Sequence, residues 1–337
     1  MKVSELGELG LIELLAKMVD GARDNKQKAW QQLILGIGDD TAAWHGDASI
    51  QLATVDSLKQ DVHFSLDIIS WQDLGWKALA INLSDIAAMG GLPRYALVSL
   101  ALPGSTEVES VLAIYRGIIE LARQFGVAII GGDTDRAPLI DITITVIGTT
   151  GTRAKRLLIR SAAKPGDKVA VTGYLGAAAA GLEMLTKHLG FDSEAIAVLR
   201  KAFWQPSPRI NEGQMLVEHG VKAAIDISDG LVSDLKHICQ ASQVGARIEV
   251  DRLPVLPAVR ANFGARAWEL ALSGGEDYEL LFTAGADVID EVKAAAACPV
   301  TVIGEITAGK KSEVTVVDGK GKLVSLPKTG WEHFASK

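Results

Sequence analysis

The sequence predicts an α/β (α+β) protein of two domains, with mixed sheets packed against helices. Three observations lead there. Short β-branched runs alternate with helical patterns along the whole chain. A stretch of Gly, Thr and basic residues over 149–166, with Pro165-Gly166-Asp167 at its far edge, interrupts the alternation near its middle. The length of 337 residues suits about two domains, here 1–150 and 151–337. Hydrophobic residues at 48% and charged residues at 22% are a globular balance, which excludes disorder and collagen-like repeats.

Taken in order, Leu11, Leu14, Leu15, Met18 and Val19 sit at helical spacing and predict one helix over 10–30. Leu33-Ile34-Leu35 is a short strand running into Gly36-Ile37-Gly38-Asp39-Asp40. A second strand over 50–55 ends at Asp56. Ser70 is an N-cap for a helix that reaches Gly90-Gly91, with Trp71, Leu74, Ala78, Leu79, Leu83, Ile86 and Ala87 as its apolar stripe. Strand 94–102, helix 106–125 and its stop at Gly126 follow. Strand 127–130 is closed by Gly131-Gly132-Asp133, and 140–148 alternates as a strand. Beyond the boundary the expected strands are 168–172, 223–227, 247–250, 278–283 and 300–303. The expected helices are 176–188, 194–203, one after Gly230, 266–272 and 286–296.

Lys and Arg number 34 against 41 Asp and Glu, a net charge of -7, so no general attraction to nucleic acid or anionic membrane is expected. The two cysteines, Cys239 and Cys298, exclude a disulfide framework and a Cys-type zinc site. Residues 1–8 are acidic and lack the apolar core of a signal peptide, and no apolar run approaches a membrane span. A cytoplasmic chain is the expectation.

One chemical feature repeats. Apolar runs close on small residues and an acid at Gly38-Asp39-Asp40, Asp56, Gly132-Asp133-Thr134-Asp135, Asp226-Ile227-Ser228-Asp229 and Gly275-Glu276-Asp277. Glycine admits a close backbone approach, and open α/β sheets bind ligands at strand ends. Gathered acids repel one another unless cations lie between them, and oxygen ligands without a His or Cys cluster select Mg²⁺ or Mn²⁺. The competing reading is that Asp and Gly here only form turns. Asp85 shares a helix face with Asn82, either as a partnered acid or as a solvent-facing border residue. Ser228-Asp229-Gly230 opens a helix, which favours an anion or is simply a cap. Arg160 suits a phosphate clamp, while Lys155 and Arg156 read as a solvated linker. Gly304-Glu305-Ile306-Thr307-Ala308-Gly309-Lys310-Lys311 nearly matches a Walker A loop, but ends in Lys and precedes a strand pattern. No P-loop is expected.

Taken together, several of these segments are similar to the thiamine-monophosphate kinase family, in that family's order and over nearly the whole chain. They are Gly36-Ile37-Gly38-Asp39-Asp40, Val62-His63-Phe64, Asn82-Leu83-Ser84-Asp85-Ile86-Ala87-Ala88-Met89-Gly90, Gly131-Gly132-Asp133-Thr134, Arg160-Ser161, Pro206-Ser207-Pro208-Arg209, Asp226-Ile227-Ser228-Asp229-Gly230 and Ser273-Gly274-Gly275-Glu276-Asp277-Tyr278-Glu279-Leu280. The wider superfamily includes aminoimidazole ribonucleotide synthetase and selenophosphate synthetase, and its members bind ATP without a P-loop.

The resemblance implies an aminoimidazole ribonucleotide synthetase-like fold and ATP-dependent phosphorylation of thiamine monophosphate to thiamine diphosphate. Residues 1–150 would bind ATP and Mg²⁺ and form a homodimer, and 151–337 would complete the site. It implies Mg²⁺ held by Asp40, Asp56, Asp85, Asp133, Asp226 and Asp229, with Thr54 and Val55 flanking. It implies ATP contacts from Tyr115, Gly132, Asp133, Arg160 and Ser228, and substrate contacts from His63, Glu276 and Trp331. His63 is otherwise a structural histidine, and Trp331 otherwise an anchor of the tail. No general base is assigned, because a phosphate oxygen is already ionised near neutral pH. Lys59 and Asp61 depart from the family's apolar or small residues, and Asp135 adds an acid. The alternatives are another ATP-dependent enzyme of the superfamily or a non-catalytic binder of nucleotide or thiamine phosphate.

Overall fold

The computed structural model describes residues 1–6, 8–35, 37, 43–46, 48–150, 156–309, 312–326 and 330. The chain divides into two units, Met1–Ile86 with Leu92–Lys155, and Ala87–Gly91 with Arg156–Lys337.

The first unit opens with α1 (Val3–Leu6), α2 (Glu8–Gly21) and α3 (Lys28–Gln32), then the short pair β1 (Leu33–Leu35) and β2 (Ala43–Trp44). The single helix expected over 10–30 is therefore two. The chain leaves α2 at Gly21, and Asp24 turns it, its Oδ1 accepting from Lys26 N at 2.9 Å and its carbonyl from Gln27 N at 3.0 Å. Then come β3 (Gln51–Lys59), α4 (Trp71–Ala88), β4 (Leu92–Leu102), α5 (Val108–Phe125), β5 (Ala128–Arg136) and β6 (Asp141–Thr149). The four long strands form one sheet in the order β3-β6-β4-β5, with only β4 and β5 parallel.

Residues paired across a sheet share a face. Leu58, Ile142 and Leu100 are paired and buried, as are Ile144 and Val98. They pack with the buried stripe of α4 (Leu74, Leu79, Leu83, Ile86) and that of α5 (Val111, Ile114, Ile118, Leu121) in the core of this unit. The α4 and α5 backbones touch through Gly75 and Gly117, where a Cβ on either would strike a carbonyl of the other helix. Ser70 caps α4 as expected, its Oγ accepting from Asp73 N at 3.1 Å. The other face of the sheet is open, and Val55 on it is 57% exposed. Two expected strand ends are corrected: β3 runs through Asp56 to Lys59, and β5 runs through Gly131-Gly132-Asp133 to Arg136.

The second unit contains β7 (Lys168–Thr172), α6 (Ala177–Thr186), α7 (Ser193–Trp204), α8 (Ile210–Glu218), β8 (Ala223–Asp226), α9 (Leu231–Ser242) and β9 (Gly245–Glu249). After these come α10 (Pro257–Phe263), α11 (Ala267–Ser273), β10 (Leu280–Ala284), α12 (Ala286–Ala295), β11 (Val300–Thr307) and β12 (Val314–Val317). Six strands order as β12-β9-β11-β7-β10-β8, antiparallel except β12 with β9. Val169, Val171, Ile225, Leu231, Leu235, Ile238 and Leu281 lie in its core. Two helices were not anticipated. α8 carries Gly213 in mid-helix, which weakens its pattern, yet a side chain there would strike the Ala87 carbonyl. α10 begins on Pro257, a residue suited to the first helical position. The Walker-like stretch is strand β11 from Gly304 to Thr307, and β12 follows it with no helix between among the described residues.

Candidate active site

In the first unit β3 brings Thr54 and Asp56 to the sheet face that α4 covers. Asp56 N donates to Asn82 Oδ1 at 3.0 Å, and the buried Asn82 is held by donating from Nδ2 to Ala78 O at 3.0 Å. Thr54 Oγ1 donates to Asp85 Oδ2 at 2.5 Å. Asp85 is thus a partnered acid, not a border residue facing solvent. Burial, and then the Asp85 carboxylate beside it, push the Asp56 carboxyl from 3.8 up to about 7. Two facing carboxyls, with a hydroxyl and an amide around them, form a hard oxygen donor set. That set fits a divalent cation such as Mg²⁺.

Not every predicted residue joins this pair. Asp133 lies on β5, at the opposite edge of the sheet from β3. It is paired with Ser99, Ser99 with Thr143, and Thr143 with Ser57, so it belongs to the open face. Three strand spacings separate it from Asp56, roughly 14 Å. Val55 has no side-chain oxygen and points to that open face too. Because Asp56 N–H turns outward to Asn82, strand alternation turns the Val55 carbonyl into the ladder with β6. Gly132 is glycine for the sheet's sake, since a Cβ would strike the Val98 carbonyl. Tyr115 is buried in α5, and burial pushes its phenol up. His63 Nδ1 accepts from Lys59 N at 3.0 Å, which leaves the proton on Nε2. Asp40 lies outside the described residues.

The departures have local reasons. Lys59 Nζ pairs with Asp141 Oδ2 at 3.3 Å on the surface. Asp61 adopts φ 64, a left-handed position that favours glycine and that Asp tolerates. Asp135 Oδ1 accepts from Arg136 N at 2.6 Å.

In the second unit Asp226 ends β8, 4% exposed, and the turn Ile227–Gly230 leads into α9. The loop 274–279 is laced to that turn. Ile227 N donates to Glu279 O at 2.8 Å, Tyr278 N to Ile227 O at 2.9 Å and Glu276 N to Ser228 O at 2.8 Å. Gly275, Glu276 and Tyr278 all have positive φ (68, 58 and 50), a cluster of backbone strain of the kind found at functional sites. The loop precedes β10; it does not close a strand as the sequence pattern suggested. Its acids divide in role. Glu276 is half-buried. Asp277 is half-buried, its carboxyl accepting from Gly176 N at 2.8 Å at the N-terminus of α6, and burial pushes it up to about 8. Glu279 is buried in a bidentate pair with Arg209, 2.6 Å on each arm, and accepts from Thr172 Oγ1 at 2.6 Å.

The start of α9, read as an anion site or a cap, is capped by the protein's own Asp234. Asp234 Oδ2 accepts from Ser228 N, Asp229 N and Gly230 N at 3.1, 3.2 and 3.1 Å. Burial, with Asp226 and Asp229 nearby, pushes its carboxyl up to about 8. Asp229, Asp234 and His237 have ligand atoms within 4.8 Å of one another. The expectation of acids without histidine missed His237, although its spacing of three from Asp234 places both on one helix face. Arg160 is exposed in a short 3-10 turn whose carbonyl accepts from Ser242 Oγ at 2.7 Å. Trp331 lies outside the described residues. Gly330 before it lies against the turn, where a Cβ would come 2.9 Å from Asp229 O and 2.6 Å from Ser233 Cβ.

Family models of AIR synthase related protein match the chain, the N-terminal domain over residues 38–150 and the C-terminal domain over 164–317. A thiamine-monophosphate kinase of Bacillus subtilis (strain 168) is 38% identical over 310 residues, covering 89% of this chain and 93% of that protein. The chain belongs to the thiamine-monophosphate kinase family. The crystal structure of the family's member from Stenotrophomonas maltophilia superposes with a TM-score of 0.82 at 35% identity, covering 92% of this chain and 96% of that one. AaThiL complexed with AMPPCP and TMP gives a TM-score of 0.76 at 34% identity, covering 99% of each chain. The two-domain aminoimidazole ribonucleotide synthetase-like fold expected from the motifs is the fold observed.

Proposed function

We infer that the chain transfers the γ-phosphoryl group of ATP to thiamine monophosphate, giving thiamine diphosphate and ADP. What carries this reading is that the chain spans nearly the whole length of a thiamine-monophosphate kinase. The AMPPCP and TMP bound by AaThiL support the same pair of substrates. A phosphate oxygen of the acceptor attacks the γ-phosphorus, and the bond to the β-phosphate oxygen breaks. That oxygen is ionised near neutral pH, so no side chain is needed as base.

Both reactants are anions. Mg²⁺, when bound, neutralises phosphate charge so that they can approach. Asp56 and Asp85 would hold it in the first unit, with Thr54 orienting Asp85, and Asp226 and Asp229 in the second. Asp40, Asp133 and Val55 belong to the same reading by resemblance, Val55 with the least to offer. Tyr115, Gly132, Asp133, Arg160 and Ser228 would contact ATP. Ser228 N and O are both engaged within the fold, so its hydroxyl is the group left for the nucleotide. His63, Glu276 and Trp331 would contact thiamine monophosphate, His63 by donating from Nε2.

The reading includes a cytoplasmic homodimer formed through the first unit. The open sheet face supports it, since Val55, Ser99 and Asp133 lie exposed there. The test is ADP release from ATP with thiamine monophosphate, Mg²⁺ and purified chain, with light scattering on the same sample. Turnover that needs both acceptor and cation, and that stops with EDTA, is expected from a dimer. Acceptor-independent ADP release, or full turnover in excess EDTA, would overturn the reaction. A monomer at micromolar concentration would overturn the assembly.

A further inference from the structure

We propose that Asp234 is a positioning residue, whose carboxyl oxygen occupies the amide-lined position at the start of α9 and so holds the Ser228 hydroxyl and the Asp229 carboxylate ready for nucleotide and cation. The proposal rests on the roles given above to Ser228 and Asp229.

The geometry is specific. Three consecutive N–H groups converge on one oxygen, Asp234 Oδ2, at 3.1 to 3.2 Å. An ordinary cap reaches forward from before the helix to its first amides. Asp234 instead reaches back from the first turn, 2% exposed, while its own N–H keeps the helical bond to Gly230 O at 3.0 Å. The turn that aims the three amides needs Gly230 at φ 128, where a Cβ would also press on the Ser273 backbone at 3.0 Å. Ser228 O is taken by Glu276 N, so the turn is pinned from both sides. Ser228 and Asp229 are half-buried, and the Asp229 carboxylate lies within 4.8 Å of ligand atoms of Asp234 and His237.

A second internal acid repeats the arrangement, with Asp277 on Gly176 N at the start of α6. Helix N-termini that elsewhere bind phosphate are thus closed by the protein's own acid side chains at both places. A triphosphate would meet side chains and cations there, not helix amides. An acid also carries a cost in this position, because Asp226 and Asp229 are close enough to repel it. Such a local conflict is tolerated where function requires it.

The experiment uses the full chain with Asp234→Ala, Asp234→Asn, Asp234→Glu and, as a reference, Asp229→Asn. Half-saturating Mg²⁺, KM for each substrate and kcat are measured with and without sodium formate. Asp234→Ala should raise half-saturating Mg²⁺ and KM for ATP by about 10- to 100-fold, with KM for thiamine monophosphate held within about threefold. Asp234→Asn keeps an oxygen for the amides and should recover most of the loss. Formate should restore Asp234→Ala, by filling the opened position, and should not restore Asp229→Asn. If Asp234→Ala does not fold, Asp234→Glu carries the test, since it keeps the charge but displaces the oxygen and should still raise half-saturating Mg²⁺. Wild-type Mg²⁺ and ATP responses in Asp234→Ala or Asp234→Glu overturn the proposal, as does equal, formate-insensitive loss in Asp234→Ala and Asp234→Asn. If Asp229→Asn changes the Mg²⁺ response and the Asp234 variants do not, the proposal alone fails. If Asp229→Asn is silent as well, the assignment of Asp229 fails with it.

Discussion

In the first unit Asp56 meets Asp85 between a strand and a helix, with one hydroxyl and one amide nearby. In the second, Asp234 meets three backbone N–H groups and Asp277 meets the first amides of α6. Burial raises the carboxyl pKa of Asp56, Asp234 and Asp277 alike. What differs is the partner: backbone amides for Asp277, three amides with Asp226 and Asp229 nearby for Asp234, and chiefly a second carboxyl for Asp56. A carboxyl group facing amides finds its hydrogen bonds within the fold. A carboxylate facing a carboxylate is left with charge that a cation answers. Pairs of the second kind should therefore limit turnover directly; of the first kind, Asp277 should act on stability and Asp234 on the turn that it holds.

The sharpest break of that comparison removes one charge from the facing pair. Asp85→Asn or Asp56→Asn should lower kcat by about 100-fold or more, because charge is lost and shape is kept. Thermal melting without metal should hold or rise, since repulsion is relieved. A fall in melting temperature with normal kcat would reverse the roles of the two regions. Asp133→Asn on the open face should also lower kcat with folding preserved, and wild-type turnover would take it out of the nucleotide site.

The internal ion pair is the next test. Glu279 anchors the strained loop through Arg209, and its side chain is 8% exposed. Arg209→Ala leaves that carboxylate buried without its partner, at a cost of about 3–5 kcal/mol. Urea unfolding should show this as a fall in midpoint with unchanged slope. A loss under about 1 kcal/mol would mean that water reaches Glu279 freely.

These contrasts also mark how far the sequence could be read. Strand and helix patterns found most elements, and Ser70, Gly126 and the Asp226–Gly230 turn stand where the residues placed them. Strand ends at Asp56 and Gly131-Gly132-Asp133 were misread, because a carboxylate and two glycines break the apolar pattern without breaking the ladder. Gly132 is required by its cross-strand neighbour, which no local pattern announces. Asp234 and Asp277 were invisible as internal caps, since their partners are backbone amides brought near by tertiary folding. Asp85 was ambiguous for the same reason: its partners Thr54 and Asp56 are about 30 residues away in sequence, on another element.

A pH series sharpens the same point at smaller scale. The Asp277 carboxyl stands at about 8 in the folded chain against 3.8 for the ordinary group. Its folded pKa is raised, so the folded state holds the extra proton between those values. The stability it confers is present below about pH 4 and is lost as pH rises through about 8. Asp277→Asn fixes the uncharged form. Its melting temperature relative to the parent should climb by several degrees between pH 5 and pH 9, at about 2–4 °C for each kcal/mol. A constant offset across that range would place the carboxyl in water.

The smallest effect belongs to the tail. Gly330, the residue before Trp331 in sequence, lies against the Asp229 carbonyl and Ser233, in the turn that Asp234 organises. If the ligand-facing side of the second unit continues into the tail, Trp331 stacks on the cationic thiazolium of the acceptor. A lost cation–π contact costs about 0.5–2 kcal/mol, or about two- to thirtyfold in binding. Trp331→Ala should raise KM for thiamine monophosphate by that factor and leave KM for ATP near its starting value. The ratio of the two constants decides, because a tryptophan that only anchors the tail would disturb both substrates or neither. Gly330→Ala gives the control from the other side. A methyl there presses on Ser233 and the Asp229 carbonyl, so it should disturb the turn itself and with it the response to ATP and Mg²⁺. If both variants weaken the same substrate by the same factor, the tail and the turn act as one structural piece and the stacking assignment falls.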